Sequence, residues 1–105
     1  MAATLENIVE RLKETGLPVA YRFFPENEAP PLPYICYLTP GNNNFPADGQ
    51  VYYSAKRLQI ELYTKHKQPD IENKVEAALS PYFWEKSEEY IDSEQCYQIL
   101  YELEV

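Results

Sequence analysis

Leu5, Ile8, Val9 and Leu12 fall at the i, i+3, i+4, i+7 spacing that lines one side of an α-helix, while Glu6, Glu10, Arg11, Lys13 and Glu14 lie mostly on its other sides. Thr4 stands where an N-cap hydroxyl can accept from the first turn. After Thr15, Gly16 suits the left-handed residue that follows a helix, Leu17 is placed to touch Leu12, and Pro18 prevents continuation. A helix over residues 5–15 is therefore expected.

Val19–Phe24 is short, aromatic and β-prone, and it stops at Pro25, which makes it a first strand. The connector to Pro33 holds Pro30, Pro31 and Pro33 and lacks the amide donors to join a sheet centre. A second strand is expected over Tyr34–Leu38. Residues 40–50 are dense in turn formers, with Phe45 the only large apolar group, and read as a long loop. Leu58, Ile60 and Leu62 then alternate with Gln59, Glu61 and Tyr63, the period of a strand with one buried and one wetter face, which Val51–Tyr53 begin or precede. Pro69 at the first helical position, acids Asp70 and Glu72 behind it, and the stripe Ile71, Val75, Ala78, Leu79 predict a second helix, ended by Ser80-Pro81; Asp70 and Lys74 form an i, i+4 pair on its surface. Phe83–Ile91 and Cys96–Val105 are expected as a hairpin about the turn at 92–95, the second strand showing Tyr97, Ile99, Tyr101, Leu103 and Val105 on one face.

The resulting order is α-β-β-β-α-β-β. Two helices packed on one face of a mainly antiparallel sheet bury both stripes at once, so the expected class is α+β, as a single domain over residues 1–105. Hydrophobic residues at 45% and charged residues at 25% are globular values, so the chain is expected to fold on its own core.

Charge narrows the partners. Seventeen acids against nine bases give −8, which leaves no electrostatic source for binding a nucleic acid backbone or an anionic membrane. Residues 82–105 hold seven of those acids and one base, Lys86, so one face or edge is strongly negative. No apolar run is long enough to span a membrane and the first residues carry no signal-peptide pattern, which points to the cytoplasm. In that compartment Cys36 and Cys96 are expected as buried free thiols.

Candidate chemistry is sparse. His66, the single histidine, sits in the basic turn Lys65-His66-Lys67 with no convergent partners and reads as a solvated side chain. Gly16, Gly41 and Gly49 cannot build a phosphate loop or a dinucleotide fingerprint. Glu88-Glu89 and Glu102/Glu104 could pair as acid and base, but their strand positions read as exposed. Asn42-Asn43-Asn44 and Asp48-Gly49 lack calcium-loop spacing. Catalytic residues, cofactor and metal are accordingly expected to be none, and a small-molecule enzyme has no polar constellation to line its pocket. Ten tyrosines stand out, serving either aromatic packing or a contact surface. Asn42, Asn43, Asn44 and Phe45, with Tyr52 and Tyr53, form the candidate interface, expected as a loop that orders against a partner.

Several strings together, Tyr21-Arg22-Phe23-Phe24, Leu32-Pro33-Tyr34-Ile35-Cys36-Tyr37, Phe45–Tyr52, Leu58–Lys65, Phe83-Trp84 and Cys96–Glu102, resemble a family of small tail terminator, or tail completion, proteins of tailed phages and prophages of Gram-positive bacteria. The resemblance covers nearly the whole chain, and its motifs are aromatic and apolar rather than catalytic. It implies an α+β subunit that forms a ring, commonly a hexamer, capping the tail tube at the head-tail junction, with the tail tube protein and a head-completion protein as partners. It also implies residence in the bacterial host cytoplasm during assembly and in the virion tail or neck afterwards. A second class remains beside it: a small acidic protein whose carboxylates mimic DNA phosphates and inhibit a nucleic-acid-binding enzyme.

Overall fold

A computed structural model describes residues 4–25, 27–47 and 50–105, with residues 42–47 and 50–55 described by backbone pairing alone. Among the described residues the elements run α1 (Leu5–Lys13), β1 (Val19–Tyr21), β2 (Tyr34–Ala47), β3 (Gln50–Thr64), α2 (Pro69–Ala78), β4 (Glu85–Ile91) and β5 (Cys96–Glu104). The strands form one sheet in the order β1-β2-β3-β5-β4. Its β1–β2 pair is parallel and its other pairs antiparallel, an α+β fold with the expected element order.

Both helix stripes lie on the same side of the sheet. Ile8 and Leu12 of α1 and Val75 of α2, with Leu79 just beyond it, are sealed against Ile35, Leu58, Ile60, Leu62, Ile99, Tyr101 and Leu103. The alternation in β3 and β5 causes this: every second residue meets the helices, and the residues between them face the other way. Leu5, Leu17, Val19, Tyr97 and Val105 pack around the rim of that core.

The ends of α1 follow local chemistry. Thr4 is in extended conformation and its Oγ1 accepts from Asn7 N at 3.2 Å. The helix closes two residues earlier than expected, through a turn in which Thr15 N and Gly16 N donate to the carbonyls of Leu12 and Lys13. Gly16 takes φ +85°, where a side chain would be strained. Thr15 Oγ1 tightens the exit, donating to Leu12 O at 2.6 Å and accepting from Leu17 N at 3.2 Å.

Three boundaries depart from expectation. β1 ends at Tyr21 rather than Phe24, because Arg22 adopts φ +66° and Phe23 N bonds back to Tyr21 O at 2.7 Å, a tight γ-type turn that leaves the sheet. β4 starts at Glu85 rather than Phe83. The largest departure is the segment 40–50: its described residues belong to β2 and β3, paired from Gly41↔Arg57 to Ala47↔Gln50, so the expected loop is an antiparallel ribbon. The register shift between Leu38 and Gly41 absorbs Pro40, which cannot donate to a ladder, and the shift between Phe45 and Pro46 leaves Tyr52 as the extra residue on β3. Pairing overrides the turn propensity of the asparagines.

Thr64 is fully buried at the end of the helix-facing row of β3, and its Oγ1 has no hydrogen-bond partner among the described residues. Burying an unpaired hydroxyl is costly, and valine has nearly the same shape without it. Thr64→Val is therefore expected to raise the unfolding free energy by about 1 kcal/mol, read by urea denaturation; a loss of stability would show that the hydroxyl is satisfied in solution.

Candidate assembly surfaces

Beneath α2 the chain gathers its densest chemistry. Glu72 is on the inward side of the helix and only 2% exposed. Lys67, in the turn ahead of α2, donates to Glu72 Oε1 at 3.0 Å and lies 2.8 Å from Oε2, while Lys86 of β4 reaches Oε1 at 2.7 Å. Each lysine also holds a second carboxylate: Lys67 pairs with Glu88, and Lys86 with Glu76 at 2.6 Å. Tyr101 OH donates to the same Glu76 oxygen at 2.8 Å, and Trp84 packs edge-on against the Tyr101 ring.

Burial alone would raise the pKa of Glu72, yet the hydrogen bonds from Lys67 and Lys86 hold it below its ordinary value of 4.5. The bonds to Glu72 and then Glu88 push Lys67 upward. Burial works against Lys86, but its bonds to Glu72 and Glu76 outweigh that. Burial first, and then the bond to Glu76, drive the Tyr101 phenol upward. Each charge in this network is answered by another, so its product is a helix pinned to a hairpin rather than a poised acid or base.

The side of the sheet away from the helices is arranged differently. Its cross-strand rows follow from the register: Leu38, Gln59, Glu102 and Glu85; then Cys36, Glu61, Leu100 and Ser87; then Tyr34, Tyr63, Gln98 and Glu89. Phe24 covers the β2 end of this face, its ring 5.0 Å from that of Tyr34. Tyr63 OH donates to Glu61 at 3.0 Å and accepts from Gln98 Nε2 at 3.0 Å, and burial drives its phenol upward. Toward β4 the face is acidic, and Glu85 and Glu102 stand directly opposite each other, a like-charge pairing that lowers sheet stability.

The ribbon of β2 and β3 extends past the rest of the sheet. β5 pairs with β3 only over Arg57–Thr64, and β1 pairs with β2 only as far as Tyr37. Beyond those points residues 43–47 and 50–55 pair with each other and, among the described residues, with no third strand, while Gly41 and Asn42 oppose Arg57 and Lys56, which still pair with Glu104 and Val105. The molecule is correspondingly long, 49 × 28 × 24 Å, with a radius of gyration of 15.0 Å where about 13 Å is usual for this length. The candidate interface residues Asn42, Asn43, Asn44, Phe45, Tyr52 and Tyr53 belong to this paired backbone, and their side chains lie outside the described residues.

His66 is exposed in the bend before α2, and Glu88, Glu89 and Glu102 are exposed as expected. Asp70 and Lys74 form no ion pair within 4.0 Å; Lys74 instead lines an open groove of about 450 Å³ between the helices, where Arg11 Nε donates to Ala78 O at 2.6 Å. The described residues include no group of three His, Cys, Asp or Glu side chains suited to a metal ion, and no helix among them is long and apolar enough to cross a membrane. The lysine-carboxylate network was not anticipated from sequence; the signal available was a basic turn ahead of a helix whose first turn carries two acids.

A scan against protein-family models gives no match, and a search of curated proteins gives no significant relative.

Two measurements follow from these sites. Glu72 binds its proton less readily in the folded chain than in the unfolded one, so its contribution to stability is present above pH 4.5 and is lost as pH falls through its lowered folded value. Glu72→Gln is expected to cost about 2 kcal/mol at neutral pH, less than breaking a sealed pair because both lysines can turn to water, and to flatten the acid limb of stability against pH. Cys36 and Cys96 are free and buried, and burial followed by the charge of Glu61 pushes the Cys36 thiol up to about 11. A thiol reagent at mildly alkaline pH should label neither cysteine in the folded chain and both in concentrated urea.

Proposed function

We propose that this chain is a structural subunit that assembles with copies of itself into a ring, resembling the tail terminators of tailed phages, and caps a tail tube where it meets the head connector. The observation that carries the reading is the ribbon. Two strands paired only with each other are marginally stable in water, so a ribbon continuing past a well-packed sheet is best explained as one side of a contact completed by a neighbour. The ring would place it against a second copy or the tail tube protein, with a head-completion protein on the opposite side. Assembly would occur in the bacterial host cytoplasm and leave the chain in the virion tail or neck.

The acidic sheet face supports the same reading. Glu61, Glu85, Glu89 and Glu102 share the side away from the helices, and a passage lined by such carboxylates repels DNA and lets it slide. That surface also favours a second reading, a DNA mimic that blocks a nucleic-acid-binding enzyme as a monomer or dimer.

A stop codon introduced early in the gene, in the prophage that encodes it, separates the two. The proposal expects lysates with tails that are unjoined to heads or of irregular length, infectious titre reduced by orders of magnitude, and the wild-type chain found by mass spectrometry in purified virions. Normal virions that lack the chain would overturn it and favour the mimic.

A further inference from the structure

The two edges of the sheet carry matched features at one level of the ladder. Following the register across the strands, Tyr21 shares a row with Tyr37, Ile60, Tyr101 and Lys86. The next row runs Leu38, Gln59, Glu102, Glu85, and Arg22, whose N–H still bonds Tyr37 O at 2.7 Å, stands at its open end. Arg22 and Glu85 therefore terminate the same row at opposite edges, and both are exposed.

Each is flanked by aromatic surface left in water. Tyr21 is 47% exposed and Phe23 65% exposed at the β1 edge, and Phe83 is 85% exposed just before β4. Aromatic residues and arginine are enriched at protein contacts relative to the rest of the surface, and these corners carry both between them. Backbone strain marks the same place: Arg22 holds φ +66°, a conformation that costs a residue with a side chain, and it is this turn that carries Phe23 off the sheet. Among the described residues neither Arg22 nor Glu85 makes an ion pair, whereas the charges of β4 that face the helices, Lys86 and Glu88, are already engaged.

Strand direction fits as well. β1 runs with β2, and the three antiparallel steps through β3 and β5 leave β4 running against β1. Two copies placed side by side in the same sense thus bring β4 of one antiparallel to β1 of the next.

We infer that the Tyr21-Arg22-Phe23 corner of one copy receives the Phe83-Trp84-Glu85 corner of the next, a head-to-tail contact between unlike edges. Burial of Phe23 and Phe83 drives it, and Arg22 against Glu85 sets the register. The charges of β4 keep that edge from pairing with arbitrary strands, so a cation at the matching row selects this partner. A contact between unlike surfaces repeats from copy to copy and closes into a ring when the rotation permits. The inference rests on the self-assembly reading above and names its surface.

Light scattering on size-separated protein over a concentration series tests it, with circular dichroism confirming that each variant folds. Wild type is expected to exceed dimer mass as concentration rises. Phe23→Asp and Phe83→Asp should each remain monomeric, while their equal mixture forms a one-to-one dimer and nothing larger, because only one intact pair of edges exists. Arg22→Glu should weaken association about tenfold, and Glu85→Arg in the same chain should restore it. Wild type that stays monomeric to about 1 mM overturns the inference. So does either aspartate variant that assembles like wild type, or that dimerises with itself. Those last outcomes leave self-assembly standing and move its surface elsewhere, whereas normal virions without the chain strike the tail reading and leave the edge contact intact.

Discussion

The alternation of Leu58, Ile60 and Leu62 with Gln59, Glu61 and Tyr63 gives β3 one dry side and one wet side, and the rest of the molecule is organised around that division. β3 is the central strand, bonded to β2 on one edge and β5 on the other, so its parity dictates theirs. A slip of one residue in either ladder would send a leucine or isoleucine to water and a glutamate beneath a helix. The helices settle on that dry side because Ile8, Leu12, Val75 and Leu79 find a continuous apolar floor there.

The acids are divided by the same strand parity. Glu72, Glu76 and Glu88 look toward the helix side, where Lys67 and Lys86 bind them into a network; Glu85, Glu89 and Glu102 look the other way and remain hydrated. The first set contributes to holding α2 on the hairpin, while the second weakens the β4–β5 pair locally. The acids around α2 and the β4–β5 hairpin are thus two populations with opposite consequences for stability. The hydrated set gives the protein a surface whose sign a partner can read.

Periodicity made most of the fold legible. Both helix stripes, the amphipathic β3 and the terminal hairpin follow from residue spacing, because each is local and each has one buried side. What spacing could not reveal depends on neighbours. The parallel pairing of β1 with β2 has no sequence signature in three residues, and Arg22 gives no hint of a left-handed backbone that glycine would normally supply. Residues 40–47 have the turn formers of a loop, and only the partner segment 50–57 converts them into a strand. Glu72 was legible as an acid near a helix N-terminus but not as a buried one, since its two lysines come from a turn and from a strand fourteen residues further on. The excess of aromatic residues was legible in composition, but which of them stay in water was not: Phe23 and Phe83 stand out only once their exposure and their shared level on the sheet are known.

β3 runs from the ribbon into the core, fifteen residues in one strand, so the arm is an extension of the same ladder that carries the helices. Adding two residues to each ribbon strand would lengthen the arm by about 7 Å and leave the ladder's side chains on their present faces. A single residue added to one strand would be taken up as a bulge, as already happens between Leu38 and Gly41 and between Phe45 and Pro46. Divergent chains on this plan would differ in reach while keeping the same floor beneath their helices, one body fitted to neighbours of different depth.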